Sequence, residues 1–110
     1  MALQAYSGVN FTGQMTRLLR IEGYYDIPFA GHSYVWLPNG TDECCVTFCT
    51  NRTTATGWWC EERRRPEASE VFRRVQIWCG RNNKEVAPIK KVECSPPPGS
   101  PLTVEPARIK

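Results

Sequence analysis

Apolar and aromatic residues fall along this chain in short runs broken by turn-forming clusters. Residues 3–6 form a first apolar run, residues 7–10 a turn, and residues 14–21 alternate until Gly23 stops them. Two strands around a tight turn fit that outline. Residues 24–28 crowd two tyrosines, Asp26 and Pro28 together, which predicts a folded corner rather than a continuing strand. "SYVWLPNG", beginning at Ser33, is β-branched and aromatic and closes on Pro38, Asn39 and Gly40, as a strand running into a turn does.

The next stretch repeats the outline. "CCVTFC" at 44–49 is a β-rich run, "TNRTTATG" at 50–57 a long polar turn, "WWCEE" at 58–62 a second strand, and "RRRPEAS" at 63–69 a charged connection. In "VFRRVQIWC", Val75, Ile77 and Cys79 share one face and Arg74, Gln76 and Trp78 the other, the alternation of a half-buried strand. Two similar halves predict an all-β domain of two stacked sheets. Residues 85–94 add an edge strand guarded by Pro88 and two lysines, and the proline-rich tail at 95–110 is expected to be extended and mobile. The expected layout is one domain over 1–94, with its halves at about 2–42 and 43–80.

Composition narrows function without naming it. A chain of 110 residues, 41% apolar with four Trp, four Tyr and four Phe, can build one real core. A net charge of +3 is low for a dedicated nucleic-acid binder, and no window supplies the roughly 20 apolar residues of a membrane helix. Arg63 to Arg65 with Arg73, Arg74 and the neighbouring Trp58 and Trp59 could stack and neutralise a single strand. Glu61, Glu62, Glu67 and Glu70 interleave with those arginines, so pairing on a solvated face is the expectation, with no nucleic-acid or membrane partner. Trp58 and Trp59 alternate across a strand, so one of them faces the core.

Cysteine usage leaves two readings. Six cysteines (Cys44, Cys45, Cys49, Cys60, Cys79 and Cys94) suit three disulfides in an extracellular protein and equally suit packed thiols in a cytosolic one. Adjacent Cys44 and Cys45 point to opposite faces if they lie on a strand, so at most one faces the core. Cys45 and Cys49 have zinc-ligand spacing but no second pair, and the one histidine, His32, is far away, so no metal site is expected. The compartment is equally open: cytoplasmic if Met1 is the native start, extracellular if it replaces a signal peptide. Sequons at Asn10, Asn39 and Asn51 lean toward secretion, although each sits where turn chemistry selects the same residues. His32 has no nucleophile in a recognisable setting, and Asp26, Asp42, Glu43, Glu61 and Glu62 form no distinctive carboxylate pair, so no catalytic residue is assigned.

One constellation is more specific. Tyr6, Phe11 and Gly13 have aromatic-x4-aromatic-x-Gly spacing, followed about twenty residues later by Ser33 at the head of a strand. This resembles the Greek-key motif of the βγ-crystallin superfamily, in its single-domain microbial and fungal form. The resemblance covers about residues 2–80. It implies a folded hairpin whose glycine takes a conformation closed to other residues and whose hairpin is tied down by the serine hydroxyl. The second half looks like a degenerate copy, with Val46 and Phe48 on its first strand and Gly57 in the glycine role. Ala55 stands in place of the second aromatic and Arg74 in place of the serine.

Microbial members often bind calcium just before the closing strand, where oxygen donors are needed. Here Pro28, Phe29 and His32 occupy those places in the first half, and Arg73 and Arg74 in the second, so no calcium is expected. The resemblance then implies a monomeric, cofactor-free structural or storage protein, abundant in a fungal fruiting body or another stress-resistant structure. The alternative is a secreted, disulfide-stapled binding protein of the same fold (toxin-like, antimicrobial or proteinase-inhibiting) that meets a protein target through residues 50–57.

Overall fold

Among the described residues of the computed structural model, which are 1–38, 44–51, 53–79, 94–95, 103–104 and 107–109, the chain forms ten strands and no helix. In chain order they are β1 (Ala2–Tyr6), β2 (Gln14–Thr16), β3 (Gly23–Gly31), β4 (Ser33–Leu37), β5 (Cys45–Cys49), β6 (Ala55–Trp59), β7 (Arg63–Arg65), β8 (Phe72–Trp78), β9 (Thr103–Val104) and β10 (Ala107–Ile109). One sheet runs β10-β2-β1-β4-β7 and the other β6-β5-β8-β3-β9. Neighbours are antiparallel except β3 and β9, which run parallel. The all-β, two-sheet expectation holds.

Each half keeps three strands in its own sheet and sends its third strand to the other. β1, β2 and β4 lie together while β3 crosses to pair with β8; β5, β6 and β8 lie together while β7 crosses to pair with β4. Alternation fills the space between the sheets. Leu3 and Ala5, Tyr25, Ile27 and Phe29, Tyr34 and Trp36, Val46 and Phe48, and Phe72, Val75 and Ile77 form one core cluster. Leu19 joins them by an isolated bridge to Leu3. Burying each of the larger side chains contributes roughly 1.5–3 kcal/mol.

Four expectations about strands and turns within residues 24–78 need correction. Residues 24–28 are not a corner but the middle of the nine-residue β3. The alternation of buried Tyr25, Ile27 and Phe29 carries the strand through. Pro28 is exposed where the register with β8 breaks between Asp26 and Gly31, so its missing N–H interrupts no regular ladder. The charged connection at 63–69 begins as a strand, because the backbone of Arg63, Arg64 and Arg65 pairs with Trp36, Val35 and Tyr34. Its side chains alternate, Arg63 and Arg65 half-buried and Arg64 exposed. The polar turn is shorter and the strand after it earlier than predicted, since Ala55, Thr56 and Gly57 belong to β6, which ends at Trp59 rather than running to Glu62.

The fourth concerns β8, which is buried on both faces: Arg74, Gln76 and Trp78 are as enclosed as Val75 and Ile77. Part of the cover on its outer face is covalent. Cys45–Cys60 packs beside Trp78, and Cys49–Cys94 brings Cys94 over the same face, where its carbonyl accepts a hydrogen bond from Arg74.

The edge strand expected at 85–94 lies outside the described residues apart from Cys94. Within the proline-rich segment, β10 pairs with β2 and β9 with β3, where the composition predicts an unpaired tail. Edge pairing uses backbone groups alone, so a segment with few large apolar side chains can still add to a free edge.

Candidate functional site

The first-half constellation converges on one hairpin. Ser33 is fully buried at the start of β4, opposite Tyr6. Its hydroxyl donates to the Gly8 carbonyl (2.6 Å) and accepts from the Phe11 N–H (3.0 Å), holding the β1–β2 loop down on the sheet. Phe11 packs edge-on against Tyr6, with ring centroids 5.7 Å apart. Phe11 and Asn10 both have positive φ, a cost that the serine bond and the Asn10 N–H to Pro66 carbonyl bond (2.7 Å) offset. Gly13 has φ +81, and a Cβ there would run into the Ser7 hydroxyl, so glycine is needed twice over. Tyr6, Phe11, Gly13 and Ser33 therefore meet as one unit.

The second half is built differently. Phe48 lies on β5 in the core, but its partner Gly57 sits within β6, and its φ lies outside the positive region. Gly57 therefore does not play the role of Gly13. Arg74 faces Cys49, the last residue of β5, as Ser33 faces the last residue of β1. Instead of tying a loop, Arg74 is buried and bonds the Asp26 carboxylate (2.7 Å) and the Cys94 carbonyl (2.9 Å). The β5–β6 loop is closed locally: Asn51 Oδ1 accepts from the backbone N–H groups of Thr53 and Thr54, both at 2.9 Å.

All six cysteines are paired, as Cys44–Cys79, Cys45–Cys60 and Cys49–Cys94. Cys44 belongs to the main core and Cys45 to the opposite face beside Trp78, the split that adjacent strand positions require. The first two bridges staple β5 to β8 and to β6 at one end of the sheet, and the third holds Cys94 at the other end. Trp59 packs against the core while Trp58 lies on the outer face, 6.4 Å from the Trp78 ring.

The positions compared with calcium ligands have other work. Phe29 is buried in the core, Pro28 and Arg73 are exposed, and Arg74 is paired. His32 is half-buried. Its Nδ1 lies 3.1 Å from the Ala30 carbonyl, and no side chain among the described residues bonds its ring.

One concave feature does gather polar and aromatic groups. Between the edges of β6 and β7, a small cleft opens to solvent. Its inner wall is Tyr34, Phe48 and Phe72, packed with ring centroids 4.2–5.9 Å apart. Trp59 and Gly57 form one side. Across from them stand Arg65, at the end of β7, and Ser69 and Glu70 on the following loop, which Arg65 fastens through the Glu67 carbonyl (2.8 Å) and the Ser69 hydroxyl (3.2 Å). Arg63 bridges the two sides: its guanidinium lies 3.6 Å from the centre of the Trp59 ring, and its Nε donates to the Tyr34 hydroxyl at 2.9 Å. Burial raises the Tyr34 pKa above its usual 10.0, and Arg63 and Arg65 pull it back only in part.

Sequence reading missed this cleft because it treated Arg63 as part of a surface patch. The patch is divided in the structure, since Arg74 is buried against Asp26 and Arg64 pairs on the surface with Glu62 at 3.4 Å. The available signal was a tryptophan four residues before an arginine, which becomes a stack only once β7 crosses to the other sheet.

Compared with known protein families, with curated proteins and with solved structures, the chain matches none.

Proposed function

We propose that this chain is a secreted, βγ-crystallin-like Greek-key domain that works as a binding protein, without calcium and without catalysis. The observation that carries this reading is the pairing of all six cysteines. Three disulfides persist in an oxidising compartment and are reduced in the cytosol, which favours the secreted alternative over an intracellular storage protein. The Greek-key part is supported by the exchange of β3 and β7 between sheets and by the Ser33 tie beneath Tyr6, Phe11 and Gly13. A binding role suits a stapled scaffold that carries an open cleft beside its most heavily bridged strands. The short, self-closed loop around Asn51 is a weaker recognition element than that cleft.

The test is a thiol count by alkylation and intact mass on protein purified from its own source without reductant. No alkylated cysteine supports secretion. Six alkylated cysteines overturn it and return the chain to the cytosolic structural reading.

A further inference from the structure

Arg63 is a guanidinium held ready with its business end unused. The Trp59 stack fixes its plane and the Tyr34 hydroxyl takes its Nε, while neither Nη has a hydrogen-bond partner among the described residues. A planar, fixed fork of this kind matches a carboxylate, and its preorganisation removes part of the ordering cost of binding. The neighbouring walls are aromatic. Gly57 adds the second half of the argument. It lies in the middle of a strand, where glycine costs stability, yet its φ does not require glycine, and a Cβ there would have the Trp59 Nε1, at 3.8 Å, as its sole close neighbour. Its effect is to leave the cleft open.

We propose that the β6–β7 cleft binds a small carboxylate bearing an aromatic or other flat apolar group. The carboxylate sits on the Nη edge of Arg63, and the apolar group enters over Gly57 against Trp59 and the Tyr34, Phe48 and Phe72 wall. The cleft is small and open to solvent, so only part of a flat ring enters it. Glu70 at the mouth opposes the anion and moderates its affinity. This site deepens the binding reading but does not depend on compartment: free thiols in the native protein would sink the secretion assignment and leave the cleft standing.

The experiment titrates the oxidised protein with 2-naphthoate and with its uncharged amide, following the Trp59 indole N–H and the Arg63 Nε–H by NMR. Saturable shifts at both signals are expected, with the amide at least tenfold weaker. Arg63→Gln should weaken naphthoate at least tenfold and leave the amide within twofold, and Glu70→Gln should tighten naphthoate. Gly57→Leu, at a position with room for a side chain, should abolish both while the remaining spectrum stays native. Displacement of naphthoate by a peptide ending in a free phenylalanine carboxylate, and not by the amidated peptide, would assign the carboxylate to a chain end; no displacement would assign it to a free acid. Equal binding of acid and amide, indifference to Arg63→Gln, or no saturable shift at either signal overturns the proposal.

Discussion

Ser33→Ala isolates the tie that holds the first hairpin. The hydroxyl serves two backbone groups at once, the Phe11 N–H at 3.0 Å and the Gly8 carbonyl at 2.6 Å, from a fully buried position. Alanine keeps the strand and the volume but orphans both groups. A buried group left unpaired costs about 1–3 kcal/mol, and the loop tip can turn partly to water, so the combined loss should be about 2–3 kcal/mol. With an unfolding entropy of about 2.1 cal/mol/K per residue, that is a fall in Tm of roughly 10 °C. The control is Ser7→Ala. The Ser7 hydroxyl also holds this loop, accepting from the Gln14 N–H at 2.8 Å, but the bond is exposed and water can replace it. Its loss should cost under about 1 kcal/mol. Guanidinium unfolding of the oxidised protein, read by tryptophan fluorescence, measures both. If Ser33→Ala costs no more than Ser7→Ala, at unchanged m, the hairpin is held by its aromatic contacts and the tie is incidental.

Three further outcomes follow from other parts of the molecule. Asp26→Ala leaves the buried Arg74 guanidinium without its carboxylate and should cost about 3 kcal/mol, whereas Asp26→Ala with Arg74→Met should recover most of that loss; a double-mutant cycle in guanidinium decides, and strict additivity would deny the coupling. Replacing Cys49 and Cys94 together by alanine opens a 45-residue closure and should cost about 4 kcal/mol on chain-entropy grounds, against about 3 kcal/mol for the 15-residue Cys45–Cys60 closure, measured in the same way. Burial raises the Tyr34 pKa, so its contribution is intact below the unfolded value of 10.0 and is lost as pH rises through the folded value; thermal melts from pH 8 to 11 should fall more steeply for the native chain than for Tyr34→Phe.

Local chemistry was legible in the sequence and tertiary exchange was not. The spacing of Tyr6, Phe11, Gly13 and Ser33 marked a hairpin because each residue answers a backbone need within thirty residues of chain. The alternation in β8 likewise put Val75 and Ile77 together on one face, which is the core face. By contrast, β7 takes its strand character from a partner in the other half of the chain. A run of three arginines reads as a connection until the edge of β4 is there to receive its backbone. Gln76 and Trp78 read as solvent-facing for a related reason. Part of the cover on that face comes from bridges whose pairing cannot be deduced from spacing.

The two halves solve one problem with different chemistry, and the register shows the exchange. Ser33 on β4 and Arg74 on β8 occupy the same place, each opposite the last residue of the first strand of its half. At that place the first half spends a hydroxyl on its own neighbouring loop. The second half has an arginine, whose reach carries it past the loop to Asp26 on β3 and to the Cys94 carbonyl. Its β5–β6 loop then needs other support, which Asn51 supplies locally and the Cys45–Cys60 bridge supplies at the far end of the hairpin. Arg74 thus joins three separate elements: its own strand, the strand received from the first half, and the segment that Cys49 tethers. Such a residue couples the halves in a way a serine could not. Severing Cys49–Cys94 should therefore weaken the Arg74–Asp26 coupling measured in the cycle above, because an arginine that has lost one acceptor and gained water depends less on Asp26. If the coupling energy is the same with and without the bridge, the tethered segment is only a cover over β8 and plays no part in how Arg74 couples the halves.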